Sequence, residues 1–150
     1  MAETDDIRRQ ITSLFSSQKL AVLCTHRGDQ PYASLVAFAT SEDLRFIYII
    51  TPKTTRKFTN LAANPLVSLL ITSSENQESD FHRAAAVTVN GSAAEISRKK
   101  GSDLIKRYLD KHPYLEDFAR SPSCALVEIK VKSYFLVRNF QNVMEWHVDA

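Results

Sequence analysis

Residues 51–57, TPKTTRK, place three cations (Lys53, Arg56 and Lys57) and three hydroxyls (Thr51, Thr54 and Thr55) within seven positions, directly after the apolar run FIYII. Arginine offers a planar fork of donors, lysine a point charge, and threonine a neutral hydroxyl. Together they suit an oxyanion such as phosphate. No Asp or Glu occurs between Leu44 and Ser74, whereas Arg45, Lys53, Arg56 and Lys57 all fall in that window. A solvated face usually mixes both signs, and loops on a rigid scaffold often carry function. A helix beginning near Thr54 would add its positive end. Composition alone leaves an anion site and a plain basic turn both open.

Other chemistries find less support. The three glycines, Gly28, Gly91 and Gly101, are too far apart for either glycine-rich phosphate cradle. His26, His82, His112 and His147 share no metal-ligand spacing. Cys24 and Cys124 stand 100 positions apart in apolar stretches, which reads as two buried free thiols. The six cations of RKKGSDLIKRYLDK are interleaved with Asp103 and Asp110, the pattern of a solvated amphipathic helix. With only Tyr108 among them for stacking, and a net charge of +2, nucleic acid is a poor partner. The amino terminus, MAETDDIRRQ, is acidic and polar rather than a secretory signal, and no apolar run reaches membrane-spanning length, so a cytoplasmic location is expected.

The elements that must carry the cluster follow from periodicity. A chain of 150 residues fits one domain that buries roughly two-thirds of its unfolded surface. Thr4, Asp5 and Asp6 open a helix over 4–17 whose stripe is Ile7, Ile11, Leu14 and Phe15. KLAVLCTH, YASLVAFAT and LRFIYII predict three strands in a meander. The cluster then leads into a short helix with Phe58, Leu61 and Ala62, stopped by ANP. LVSLLIT is a strand, residues 73–83 a polar, mobile loop, and AAAVTVNGSAAEI a strand bulged near Asn90–Gly91. A helix over 97–111, capped near Ser97 or Ser102, ends at His112–Pro113. CALVEIKVKSYFLV alternates as a half-solvated strand, and residues 138–150 are a carboxyl-terminal arm, either a further strand or an extended segment. The expected fold is a single α+β domain over 1–150, a small antiparallel barrel of six or seven strands with flanking helices.

The stretch TPKTTRK…NL…NPLVSLLI resembles the flavin-phosphate segment of the pyridoxamine-5′-phosphate-oxidase-like, FMN-binding split-barrel family, with Thr51, Thr55, Arg56, Lys57, Asn64 and Pro65 on its positions. GDQPYASLVAF resembles the strand beside the flavin, and VTVNGSAAEI the later strand with its glycine. The likeness covers roughly residues 5–137. It implies a split barrel, a homodimer, and one FMN per protomer in a groove between subunits. Lys57 and Arg56 would neutralise the phosphate, Thr51 and Thr55 would donate hydroxyls, and Lys53 would either help or face water. Ser34, Leu35 and Val36 would lie against the ring and ribityl chain, Ile50 would flank it, and Trp146 would cover the partner's flavin or pack in the dimer. Relatives also handle haem, so a non-catalytic flavin or haem binder is the alternative to an FMN oxidoreductase. The resemblance stops short of the oxidase. Its arginine before the phosphate loop is missing from YASLVAF, Ala86 sits near its glutamine, and MEWHVDA echoes its carboxyl-terminal signature only in Glu145 and Trp146.

Overall fold

A computed structural model describes residues 2–139 and 141–148. Helix α1 (Ala2–Ser17) buries Ile7, Ile11, Leu14 and Phe15, the expected stripe. Strands β1 (Leu20–Arg27) and β2 (Gln30–Ala37) form a hairpin, turned at Gly28, whose φ of +57° favours glycine. A two-residue strand, β3 (Ala39–Thr40), pairs with β4 (Phe46–Pro52). Helix α2 (Arg56–Ala63), β5 (Leu66–Thr72), α3 (Asp80–Arg83) and β6 (Ala85–Ile96) follow. Then come α4 (Ser102–Lys111), a single 3₁₀ turn over Pro113–Leu115, α5 (Glu116–Arg120), β7 (Cys124–Arg138) and β8 (Asn142–His147).

The sheet runs β2-β1-β5-β6-β7-β4-β3, with β8 also on β7, and every pairing is antiparallel. It curls into an eight-stranded half-barrel with helices at its flanks, the split-barrel form of an α+β domain. The meander does not persist beyond β2. Phe38, fully buried, breaks YASLVAFAT into two strands, and β4 pairs with β7 rather than with β2. Ile47 to Thr51 are five consecutive buried residues, so β4 is covered on both faces where it lies between β7 and the two-residue β3.

The core lies on the concave face. Phe15 meets Phe38 edge-on at 5.5 Å, and the Tyr134 hydroxyl donates to the Leu44 carbonyl at 2.7 Å. The bulge expected at Asn90–Gly91 is present, and a Cβ on Gly91 would stand 2.5 Å from the Lys130 carbonyl oxygen. The helix expected from residue 97 starts only at Ser102. Residues 97–101 turn instead, with Ser97 accepting from the backbone of Lys100 and Gly101, and Gly101 as the cap without a side-chain bond. The polar stretch 73–83 contains α3, whose Asp80 carboxylate accepts from the backbone N–H of Glu75 and Gln77. Most of β7 is buried rather than half-solvated, because it is paired over its length by β6, β4 and β8.

Candidate functional site

The basic heptapeptide sits where β4 leaves the sheet. The Lys53 backbone N–H bonds to Ser123, and the Thr55 N–H bonds to Pro52, closing a tight turn. Thr55 is then the N-cap of α2: its hydroxyl accepts from Phe58 N–H at 3.4 Å and donates to the Pro52 carbonyl at 2.9 Å. Helix α2 therefore begins at Arg56, two residues after Thr54, near which it was expected. The backbone N–H groups of Arg56 and Lys57 occupy its first turn, where a helix offers no carbonyl of its own. Asn60 anchors the helix, donating through Nδ2 to the buried Thr25 hydroxyl at 3.1 Å, and Leu61 is buried beside it.

This arrangement turns Lys57 towards a cavity of about 300 Å³. Leu35 and Val36 from β2, and Ile50 and Thr51 from β4, line it together with Lys57. Tyr108, Leu115 and Phe118, from α4 to α5, close another side. Burial pushes the Lys57 amine below its ordinary pKa. No carboxylate approaches it within ion-pair distance among the described residues. The cavity thus combines apolar walls with an uncompensated cation at the positive end of a helix, an arrangement that accepts an anion attached to an apolar body.

Other sequence-selected residues go elsewhere. Lys53 pairs at 3.6 Å with Glu95 of β6, an acid that lies outside the acid-free window in sequence but beside it in space. Arg56 is exposed, its guanidinium 5.6 Å from the Tyr32 ring centre. Ser34 points inward opposite Leu23 and does not line the cavity; its hydroxyl is buried without a partner. Trp146 stacks on Tyr134 at 5.3 Å, and the Arg8 guanidinium lies 5.4 Å from its ring centre. It pairs along the far half of β7, about eight residues, or roughly 25 Å of strand, from Leu126 beside Ile50. Within one protomer it cannot reach the cavity. The thiols also differ from expectation: Cys124 is buried, but Cys24 is only half-buried because the outer face of β1 is uncovered. The wall of Tyr108, Leu115 and Phe118 escaped sequence reasoning, since neither the stripe of α4 nor HPYLEDFA carries a sign that it packs over the end of β4.

A larger groove of about 830 Å³ opens on the outer face, where β1 and β5 diverge. Cross-strand register sets Cys24, Ser68, Asn90, Ser133 and His147 in one polar row along it. Beside that row Leu35, Val22, Leu70, Thr88 and Phe135 make a second, mostly apolar one.

Comparison with known proteins accords with this architecture. No curated protein matches the sequence. Among solved structures, General Stress Protein 26 from Bacillus anthracis is 19% identical with a TM-score of 0.73, covering 95% of this chain and 98% of that one. HutZ, the haem storage protein from Vibrio cholerae, is 16% identical with a TM-score of 0.72, covering 91% and 92%. A haem binding protein from Mycobacterium smegmatis is 17% identical with a TM-score of 0.79; the overlap covers 93% of this chain but 56% of that protein. At such identities these likenesses describe the fold. The sequence itself matches the family profile described as pyridoxamine 5′-phosphate oxidase over residues 7–138, and on that extent the chain belongs to the pyridoxamine 5′-phosphate oxidase family.

Proposed function

We propose that the chain is an FMN-binding flavoprotein and an oxidoreductase, working as a homodimer with the flavin between subunits. The observation that carries the reading is the cavity in which Leu35, Val36, Ile50 and Thr51 converge with Lys57 at the start of α2. Its donor set fits a phosphate ester: an ammonium without a carboxylate partner, first-turn backbone N–H groups, and the Thr51 hydroxyl. Its walls fit a fused ring, since Val36, Ile50, Tyr108, Leu115 and Phe118 are apolar or aromatic. The buried, unpartnered Ser34 hydroxyl is a further donor for a polyhydroxyl chain after a rotamer change.

At about 300 Å³ the cavity holds only part of such a ligand. A second copy would cover the rest. Support for pairing comes from the two outer rows, which cross the sheet with little charge, as the cores of protein interfaces do. FMN supplies the electron transfer when bound; the chain's residues hold the phosphate, wall the ring and exclude water. Arg56 would reach the phosphate by leaving Tyr32. Lys53, engaged with Glu95, would contribute charge at longer range. No residue is assigned as acid or base, and the substrate is left unnamed. Oxidation of pyridoxamine phosphate itself is not proposed, because the arginine and glutamine that accompany it have no match here and its carboxyl-terminal signature is echoed only in Glu145 and Trp146.

A second reading, haem binding, is favoured by the larger groove, which bears His26 and His147 in about 830 Å³, and by the haem-binding relatives of the same fold. Spectra of the purified protein, and of apo-protein titrated with each cofactor, separate the two. FMN should bind and riboflavin should bind far more weakly, with Lys57→Ala reducing FMN affinity about ten- to a hundredfold. Equal binding of FMN and riboflavin defeats the phosphate site. A Soret band abolished by His147→Ala establishes haem instead.

A further inference from the structure

We infer that a separate cavity, between α1, the β3–β4 connection and α4, binds a small monocarboxylate with an apolar body through Lys111 and Arg107. This cavity measures about 620 Å³. Lys111 and Arg107 stand one turn apart on the same face of α4. The Lys111 ammonium donates to the Phe15 carbonyl at 3.0 Å, near the end of α1, and lies 3.7 Å from the centre of the Phe38 ring. Arg107 donates through Nε to the Thr40 carbonyl. Each contact fixes a cation at the cavity wall while leaving most of its donors unspent, since lysine has three and arginine five.

Neither cation has a carboxylate within ion-pair distance among the described residues. Two other arginines, half-buried Arg98 and exposed Arg138, are differently placed. Arg98 donates to the carbonyls of Ala119, Ser121 and Cys124, and Arg138 to Gln10. Lys111 and Lys57 share one property: burial alone lowers each amine's pKa, to about 8 for Lys111. Each lines its own cavity. Helix α4 stands between the two, with Tyr108 facing one and Arg107 and Lys111 the other.

The surroundings select the ligand. Phe15, Ala39 and Leu44 give apolar walls, and α1 adds only the hydroxyls of Thr12 and Ser16. Glu42 and Asp110, both exposed, flank the opening. Their charges oppose a dianion, so a carboxylate is preferred to a phosphate. Besides those two acids and Arg107, the ionisable group nearest in sequence is His112, whose Nε2 is bonded to the Phe38 carbonyl and whose pKa is pushed down by burial and by the charges of Lys111 and Lys19.

The test is a titration of protein labelled with ¹³C at the lysine ε-carbons, using benzoate and, separately, inorganic phosphate. Benzoate should shift the Lys111 resonance saturably and raise its titration midpoint above about 8. Arg107→Gln should weaken benzoate binding about tenfold, while Lys111→Arg retains part of it. Melting temperatures of both variants establish that they fold. No saturable shift at Lys111, or unchanged affinity in Arg107→Gln, overturns the site. Phosphate binding as tightly as benzoate overturns the carboxylate assignment. The readout is independent of FMN, which is followed through Lys57.

Discussion

Thr51 Oγ1 and Thr55 Oγ1 lie 2.9 Å apart, and both hydroxyls lean on the carbonyl of the proline between them, Pro52. Two threonines read from the sequence as equivalent phosphate donors therefore have different work. Thr55 caps α2, and its hydroxyl is held close to the Pro52 carbonyl at 2.9 Å. Thr51, bonded to Pro52 at a longer 3.3 Å, is the hydroxyl that can turn towards a ligand.

Thr55→Ala should accordingly cost about 1 kcal/mol of stability through the lost cap, while Thr55→Ser stays near wild type. Thr51→Val should leave the melting temperature closer to wild type and instead weaken FMN by roughly fivefold. Chemical denaturation and flavin titration of the three variants read both quantities. Equal stability losses at positions 51 and 55 would show that the cap is not what distinguishes them.

Lys57 makes the binding depend on pH in a defined direction. Its folded pKa is depressed by burial, so the free protein sheds this proton at lower pH than an unfolded chain does. On that account the group favours the unfolded state while it is charged, and stability gains as pH rises through the folded pKa. A bound phosphate reverses this by holding the proton. FMN affinity should fall as pH climbs through the depressed Lys57 pKa, whereas riboflavin affinity stays flat over the same range. Lys57→Arg should shift the FMN decline to higher pH. Parallel curves for the two flavins would remove Lys57 from the phosphate.

Phe118 and Tyr108 divide the aromatic wall by burial. Tyr108 is 1% exposed, and the same burial raises its hydroxyl pKa to about 12. Phe118 is 37% exposed at the cavity edge. Tyr108→Ala should therefore cost about 3–5 kcal/mol of folding stability. Phe118→Ala should leave stability within about 1 kcal/mol but weaken FMN and riboflavin alike, by roughly tenfold. A Phe118→Ala variant that discriminates between the flavins would place that ring near the phosphate instead.

Local patterns were readable because they were set by neighbours in sequence. The α1 stripe, the Asn90–Gly91 bulge and the strand–turn–helix around Thr51 to Lys57 all depend on spacing within a few residues. What long-range pairing decided was not readable. Nothing in LRFIYII says that β4 will leave β2 and insert beside β7, although five buried residues in succession record the consequence. Glu95 is 42 positions from Lys53 and meets it only because β6 and β4 both pair with β7. The α4–α5 wall is the same kind of case. Its apolar face announced a helix without announcing which cavity Tyr108 would enter.

Leu70 offers the sharpest test of pairing. It is 39% exposed on the outer face, opposite Val22, with Leu35 at 62% in the same row. A glutamate there would meet little resistance in an isolated protomer, because the position already faces out. In a dimer closed over this face it would desolvate a charge without a partner, at a cost of several kcal/mol. Leu70→Glu should thus sediment as a folded monomer at micromolar concentration, while the wild type sediments as a dimer burying about 2,000 Å² or more. FMN affinity should drop with it, because the cavity of about 300 Å³ would lose the cover a second copy supplies. A monomeric variant that keeps full FMN affinity would separate the flavin site from the dimer. A variant that stays dimeric would move the interface to another face.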